Sequence, residues 1–370
     1  MPSHSTPAPR VAVVGGGLGG LACARVLQRH GRSVTVFESE VSADARPQGG
    51  TLDMHAGTGQ AAIRAAGLYE RFQALARPEG QEMRLLDHTA AVLEHHHPAE
   101  GDESRPEIDR GQLRGLYLDS LAPGTVRWGR AVTAVTPLGG GTSRLHFADG
   151  DSEDFDLVVG ADGAWSRVRP ALSPAAPVYT GVTFTETALD DCDTRHPRIA
   201  ELVGDGLLMA KGPGKGLFAQ RNSNGHIRVY VALRAPHDWH AAAGLDLDDA
   251  EAVRAHLLRL FDGWDESLLA LIRDSDRGFT DRPLYALPVP HTWRHVPGIT
   301  LLGDAAHVMP PLGLGANLAM LDGTELATAL LTEPTVDDAV RAYESVMLPR
   351  SADAAKACGE GLATLLPQAS

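Results

Sequence analysis

Cysteine, lysine and long apolar runs are scarce in this 370-residue chain, and each scarcity excludes something. The three cysteines, Cys23, Cys192 and Cys358, lie far apart and never in CxxC spacing. That argues against a disulfide scaffold or a zinc module and fits a reducing cytoplasm. The only lysines are Lys211, Lys215 and Lys356, and 33 basic residues stand against 47 acidic ones, for a formal charge of -14. No basic block exists to grip nucleic acid or anionic lipid, so small molecules are the expected partners. No apolar run approaches the roughly 18 residues of a membrane span. The first ten residues carry no apolar stretch behind a basic start, so no secretory signal is expected. The GxSxG elbow of serine hydrolases is missing as well.

What is present describes a globular protein. Apolar residues make up 43% of the chain, and its 40 glycines with 24 prolines stay below the share that marks low complexity. The length exceeds what one core usually supports, which predicts two lobes. Val11–Val14 is a short β-branched run that breaks into Gly15-Gly16-Gly17-Leu18-Gly19-Gly20 and continues as Leu21-Ala-Cys-Ala-Arg-Val-Leu27. This reads as strand, tight turn and helix. Gly15, Gly17 and Gly20 fill the G-x-G-x-x-G pattern: one glycine for the turn, one for approach of a pyrophosphate, one for close packing of helix on strand. A second strand, Ser33–Phe37, ends at Glu38, placed to hold a ribose hydroxyl and to disfavour a 2′-phosphate. FAD or NAD therefore suits this crevice better than NADP.

Two further strands deliver polar groups in the same manner. Phe155–Gly160 leads into Ala161-Asp162-Gly163-Ala-Trp-Ser166-Arg-Val-Arg169. Ile299–Leu302 leads into Gly303-Asp304-Ala-Ala-His307 and then Pro310-Pro311-Leu-Gly313-Leu-Gly315-Ala-Asn317, which opens a helix running to Leu330. With all three motifs in order, the chain resembles the class A FAD-dependent aromatic hydroxylases of the para-hydroxybenzoate hydroxylase fold, over about residues 11 to 343. Within that family it looks most similar to the tetracycline-inactivating monooxygenases. The stretches Ala45–Asp53, Glu107–Arg114 and Gly303–Pro311 add to the resemblance.

The resemblance implies an α/β fold: a Rossmann-like FAD-binding domain, an interleaved β-sheet substrate domain and a C-terminal helix. It assigns residues 1–72, 105–177 and 285–334 to the FAD domain, 73–104 and 178–284 to the substrate domain, and 335–370 to the helix. It also implies a monomeric NADPH- or NADH-dependent monooxygenase, in which a flavin C4a-hydroperoxide passes one oxygen from O₂ to an aromatic or polycyclic substrate. Tetracycline-like compounds are the leading guess, with tailoring of a polyketide or other aromatic metabolite as the alternative.

Residue by residue, Gly15, Gly17, Gly20 and Glu38 would hold the adenosine half of FAD, with Ala131 or Val132 offering backbone groups to the adenine. Arg110 and Asp304 would bind the ribityl-pyrophosphate portion, and Asp53 would lie along the same cofactor. Arg46 would stand near the flavin face and meet the nicotinamide. Asp162 and Gly163 would serve both FAD and NAD(P)H, and Pro311, Gly313, Gly315 and Asn317 would skirt the isoalloxazine. The loop after Pro311 departs from the family by one missing residue and by Leu314 between the glycines.

Between Val178 and Leu284 the chain alternates like a β-sheet, with Asn222-Ser-Asn-Gly225 as a hairpin turn and Asp248–Phe261 as a helix. Glu186, Met209, Phe218, Gln220 and Arg228 are its candidate substrate residues, joined by Pro311. Against the tetracycline-inactivating enzymes, Glu186 replaces a glutamine, Leu207 an arginine and Arg228 a histidine, while Met209 and Phe218 are kept. Arg46, Arg228 and Glu186 are the candidates for a catalytic role, the last two by biasing protonation of a phenol or enol. His95-His96-His97 reads as a solvated loop ending at Pro98 rather than a metal site, because three consecutive side chains cannot easily converge on one ion. His307 reads as structural. A reductase with two dinucleotide sites would show a second GxGxxG, which is missing; a flavin-binding sequestering protein stays open, since fold does not fix function.

Overall fold

The computed structural model describes residues 8–368. Its organising element is a five-stranded parallel sheet in the order Ile299–Leu301, Leu157–Gly160, Val11–Val14, Val34–Phe37, Val126–Arg127. The central strands read as continuous apolar runs because both of their faces are covered. Val11–Val14 and Leu157–Gly160 are buried at every position. The helix Leu18–Arg29 packs against the helix Gly315–Thr332 at glycine-lined contacts. A Cβ on Gly19 would lie 2.6 Å from the Ala319 carbonyl oxygen, and one on Gly323 would lie 2.2 Å from that of Gly19. Equal offsets along the two helices, 19 beside 319 and 23 beside 323, show that they run parallel and open their N-termini on the same side.

A three-stranded antiparallel sheet, Ser152–Phe155, Thr142–Phe147 and Val132–Gly139, sits against this layer. The run expected as one strand over Phe155–Gly160 is divided between the two sheets. Asp156 makes the turn between them, its backbone N–H donating to the Arg10 carbonyl at 3.0 Å.

The third unit is a seven-stranded mixed sheet in the order Thr280–Ala286, Val178–Leu189, Ile227–Arg234, Lys215–Arg221, Leu207–Gly212, Met83–Asp87, Val92–His96. Leu207–Gly212 and the first half of Ile227–Arg234 alternate in burial, while Gly216–Ala219 on the strand between them is buried on both faces. One face carries Leu208, Ala210, Leu217, Ala219, Val229 and Val231 into a core closed by the helices Pro197–Val203, Ala250–Leu260 and Glu266–Arg273. The expected hairpin is present, with Asn224 and Gly225 both at positive φ, as a two-residue primed turn requires. The histidine run differs from expectation: Val92–His96 is the edge strand of this sheet, not a loop.

A 30-residue helix, Val336–Leu365, spans both lobes. Thr335 caps its start, accepting from the Asp338 N–H at 3.1 Å. In its first half the Tyr343 hydroxyl donates to the Leu301 carbonyl (2.9 Å), and Glu344 accepts from Thr300 (2.8 Å) and from Trp293 (3.0 Å). At its far end Leu362 and Leu366 pack on Phe184 and Phe218 of the seven-stranded sheet, and the Arg234 guanidinium donates to the Leu366 carbonyl at 2.8 Å. Pro349 stands inside the helix without ending it.

Candidate functional site

The strand registers align Val14, Gly160 and Leu301 across the parallel sheet, with Phe37 beside Val14. Gly15, Asp162, Asp304 and Glu38 therefore emerge together at the carboxyl edge, where open α/β sheets bind ligands. Gly15 has φ +110°, and a Cβ there would stand 2.3 Å from the Ala161 carbonyl oxygen; one on Gly20 would stand 2.3 Å from the Gly15 carbonyl oxygen. Gly17 is different, because a Cβ there would meet nothing within 4 Å. The glycines at 15 and 20 thus close the turn, and Gly17 faces open space. The helix behind it has neither a side-chain cap nor an acidic residue in its first turn, which leaves its N–H groups and partial positive charge for an anion.

Glu38 is buried and held in place: its carboxylate accepts from the N–H groups of Gly16 (2.7 Å) and Glu40 (2.9 Å) and from the Ser39 hydroxyl (3.0 Å). Gly129 and Arg130 donate to the Glu40 and Glu38 carbonyls at 2.8 Å, which brings the strand beginning at Val132 alongside. Asp304 is exposed while its neighbours from Leu301 to Gly303 and from Ala305 to Pro310 are all buried, so this carboxylate looks into the hollow. Arg110 is exposed as well; surrounding protein lowers its pKa, and Asp304 opposes that shift. An uncapped helix start, an open glycine and a facing Asp304–Arg110 pair fit the pyrophosphate and polyol of FAD.

Several candidates turn out to brace the cradle with their side chains. Asp162 accepts from the Ser166 hydroxyl and the Arg167 N–H, both at 2.6 Å, and so caps the turn after its strand; burial pushes its carboxyl up against those bonds. The Asn317 amide uses all its capacity internally. Its oxygen accepts from the N–H groups of His55 (3.0 Å) and Gly59 (3.1 Å), and its nitrogen donates to the carbonyls of Asp53 (2.7 Å) and Gly313 (3.1 Å). Only its backbone at the helix start is left to face a cofactor. Asp53 pairs with His55 at 2.8 Å, and its carboxylate lies 3.3 Å from where a Gly313 Cβ would be. Gly315 begins the helix, and Pro311 is exposed on the loop before it. Arg46 is exposed and paired with Glu40, which also accepts from Arg114 at 3.0 Å; Arg114 in turn donates to the Gly16 carbonyl at 3.0 Å. Its partner thus ties Arg46 to the Gly16 end of the cradle.

His307 is buried with Asp322, Nε2 to Oδ2 at 2.6 Å. Burial, which lowers its pKa, is outweighed by Asp322, which raises it. Asp322 also accepts from the Gly303 N–H (3.1 Å) and from Arg350 of the long helix (2.8 Å). His307 is therefore a tie behind Asp304.

The substrate candidates lie on one face of the seven-stranded sheet, opposite its helix-covered core. Met209 registers with Phe218, Phe218 with Tyr230, Tyr230 with Glu186, and Gln220 with Arg228. The face has two ends. Phe184, Phe218, Met209, Leu312, Leu362 and Leu365 form the apolar one. At the polar one Arg228 is ion-paired with Glu186, whose other oxygen accepts from Arg282 at 3.3 Å. Two guanidiniums share one carboxylate, which leaves one net positive charge. Gln220 donates weakly to the Thr51 carbonyl (3.4 Å) and Arg228 to that of Gly49 (3.3 Å), so this end abuts the Gly49–Thr51 segment.

Sequence reasoning missed Tyr230, whose hydroxyl would be 3.1 Å from a Gly50 Cβ and whose phenol burial pushes up to about 12, against the opposing charge of Arg228. It also missed Arg282. Period-two alternation from Arg228 would have found Tyr230. A cavity of about 220 Å³ continues from the apolar end beneath the long helix, lined by Thr180, Arg234, Met309, Pro310, Gly359 and Leu362.

Comparison with known proteins shows the family and the fold. Residues 9–357 match the family described as FAD binding domain. Monooxygenase penA of Penicillium thymicola is 33% identical over 94% of this chain and 93% of its own length. The 3-amino-4-hydroxybenzoate 2-monooxygenase of Streptomyces cremeus is 30% identical over 93% and 84%. Among solved structures, Klebsiella pneumoniae HpxO complexed with FAD and uric acid superposes with a TM-score of 0.82 at 22% identity, over 97% of this chain and 89% of that one. Tetracycline destructase Tet(51) gives 0.68 at 20% identity, over 95% and 91%. The chain belongs to the FAD-binding family of class A flavin monooxygenases. FAD is its cofactor, and its fold is that of the family.

Proposed function

We propose that this protein uses NADPH or NADH and O₂ to hydroxylate an aromatic or polycyclic small molecule bearing an ionisable oxygen. The balance is R–H + O₂ + NAD(P)H + H⁺ giving R–OH + H₂O + NAD(P)⁺. The observation that carries this reading is the two-ended sheet face beside the flavin cradle, with Glu186, Arg228, Arg282 and Tyr230 at one end and Phe218 and Phe184 at the other.

Bound FAD supplies the electron transfer and oxygen activation; the chain's residues supply binding, orientation and exclusion of water. The backbone N–H groups after Gly17 would hold the pyrophosphate, and Glu38 the adenosine ribose. Asp304 and Arg110 would hold the polyol and phosphates. Phe218, Phe184 and Met209 would bury the ring system of the substrate and keep bulk water away. The unpaired positive charge at Arg228 and Arg282 would favour a phenolate or enolate over its neutral form, which makes the adjacent ring carbon electron-rich. Tyr230, neutral at physiological pH, would donate to the same oxygen. The cavity beneath the long helix would take the apolar remainder of a larger substrate. Tetracyclines and polyketide-like phenols have both the fused rings and the enolic oxygens this face suits.

The test is incubation of FAD-loaded protein and NADPH or NADH with a tetracycline, a polyketide phenol and 3-amino-4-hydroxybenzoate in parallel, read by mass spectrometry. A gain of one oxygen in any of them supports the reading and chooses the substrate class. Reductant consumption that yields peroxide alone with all three would sink it.

A further inference from the structure

Among the described residues outside the flavin cradle and the proposed substrate face, one cluster has the composition of a metal site. His95 and His97 stand two residues apart at the end of the edge strand Val92–His96, so their side chains project to the same side. Sequence reasoning asked whether three consecutive imidazoles could converge. The strand answers by sending His96 elsewhere and recruiting a carboxylate instead. Glu82 lies on the approach to the neighbouring strand Met83–Asp87, and one ligand atom from each of Glu82, His95 and His97 falls within 4.8 Å of the others.

Glu82 is anchored as ligands usually are. It is 3% exposed, Oε2 accepts from the Asp205 N–H at 2.7 Å, and Oε1 accepts from Arg84 at 2.8 Å. Burial, which raises its pKa, is outweighed by those bonds and by His95, so the carboxyl stays ionised. His95 Nε2 lies 2.7 Å from Glu82 Oε1, and both imidazoles are exposed to entering ions.

We propose that Glu82, His95 and His97 bind one divalent cation of the borderline class, Zn²⁺ or Ni²⁺, that pins the edge strand to the sheet. Two imidazoles and one carboxylate are the donor set such ions prefer, with water completing the shell. The cation takes the place of the direct His95–Glu82 contact: at bond lengths of about 2.0–2.2 Å, His97 swings inward and His95 Nε2 draws back from Glu82 Oε1, which it now meets at 2.7 Å. Arg84, which keeps its positive charge beside the carboxylate, weakens the site relative to a buried structural zinc centre. This proposal does not rest on the oxygenase reading.

The test uses the full-length, FAD-loaded protein after chelator treatment, titrated with Zn²⁺ against a chromophoric competitor, with flavin absorbance as the check that each variant is folded. The wild type is expected to bind one equivalent. His95→Ala and His97→Ala should each weaken that binding at least tenfold, while His96→Ala leaves it unchanged and a raised Tm on Zn²⁺ addition survives only in the wild type and His96→Ala. Absence of a one-equivalent site in the wild type overturns the proposal. So does equal weakening by all three substitutions, which would mark an undirected histidine run.

Discussion

The cofactor cradle and the proposed substrate face are built from different materials. At the carboxyl edge of the parallel sheet the ligand-facing groups are largely backbone: the N–H groups behind Gly17, the start of the helix at Gly315, and the space left by absent side chains. The charged or amide side chains of Asp162 and Asn317 there are occupied in holding that backbone still. On the seven-stranded sheet the reverse holds: the backbone is consumed by the ladders, and the side chains of Glu186, Arg228, Tyr230 and Phe218 are what the proposed substrate would meet. A backbone site tolerates no added atoms, whereas a side-chain site can be rewritten one residue at a time. One fold can thus keep one cofactor while its substrate changes.

Substitution can break this contrast in order of severity. Gly15→Ala should be the most damaging, since it combines strain at φ +110° with a 2.3 Å clash against the Ala161 carbonyl. A cost on the order of 3 kcal/mol is expected, seen as a lower denaturant midpoint and as purified protein without yellow colour. Asn317→Ala comes next. It removes partners from the buried Gly59 N–H, the half-buried His55 N–H and two carbonyls, for roughly 2 kcal/mol, and should loosen FAD in a fluorescence titration.

Glu186→Gln should leave FAD affinity unchanged and alter substrate kcat/KM by about tenfold, roughly 1.4 kcal/mol, because it unbalances Arg228 and Arg282 without touching the cradle. Loss of FAD from this variant would abolish the distinction between the regions.

The smallest effect concerns pH. Burial pushes Glu107 up to about 8, against the hydrogen bond it accepts from Thr51 at 2.5 Å. Its folded pKa lies above the unfolded value of about 4.3, so its contribution is fully present below that pH, is lost progressively as pH rises, and is gone above about 8. Glu107→Gln should flatten the fall in Tm between about pH 4.5 and 8, with little change at about pH 4.

The same contrast explains what the sequence makes legible. A glycine needed for its missing side chain leaves a fixed spacing, so Gly15, Gly17, Gly20 and the Asp162 and Asp304 turns are readable along the chain. The sheet's alternation is readable too, and it set Glu186, Met209, Phe218, Gln220 and Arg228 on a common face. Pairings across strands carry no local signature. Nothing near Glu186 in sequence announces Arg228, 42 residues on, or Arg282, 96 residues on. Asn317 was legible as a residue of the site but not as its brace, since its partners at Asp53 and His55 lie more than 260 residues away. The histidine run misled because a loop was expected where an edge strand separates its members.

The parallel sheet also sets an order of assembly. Its first strand, Val11–Val14, leaves the ribosome early, but the outer strand Ile299–Leu301 and the helix Gly315–Thr332 that walls the first helix come some 300 residues later. Synthesis proceeds at roughly 5–20 residues per second, so the N-terminal third waits on the order of tens of seconds without its neighbours. During that time the chain has no finished cradle. Loading with FAD thus waits on long-range contacts, and a chain that stops short of Ile299 lacks the outer strand and the second helix of the cradle.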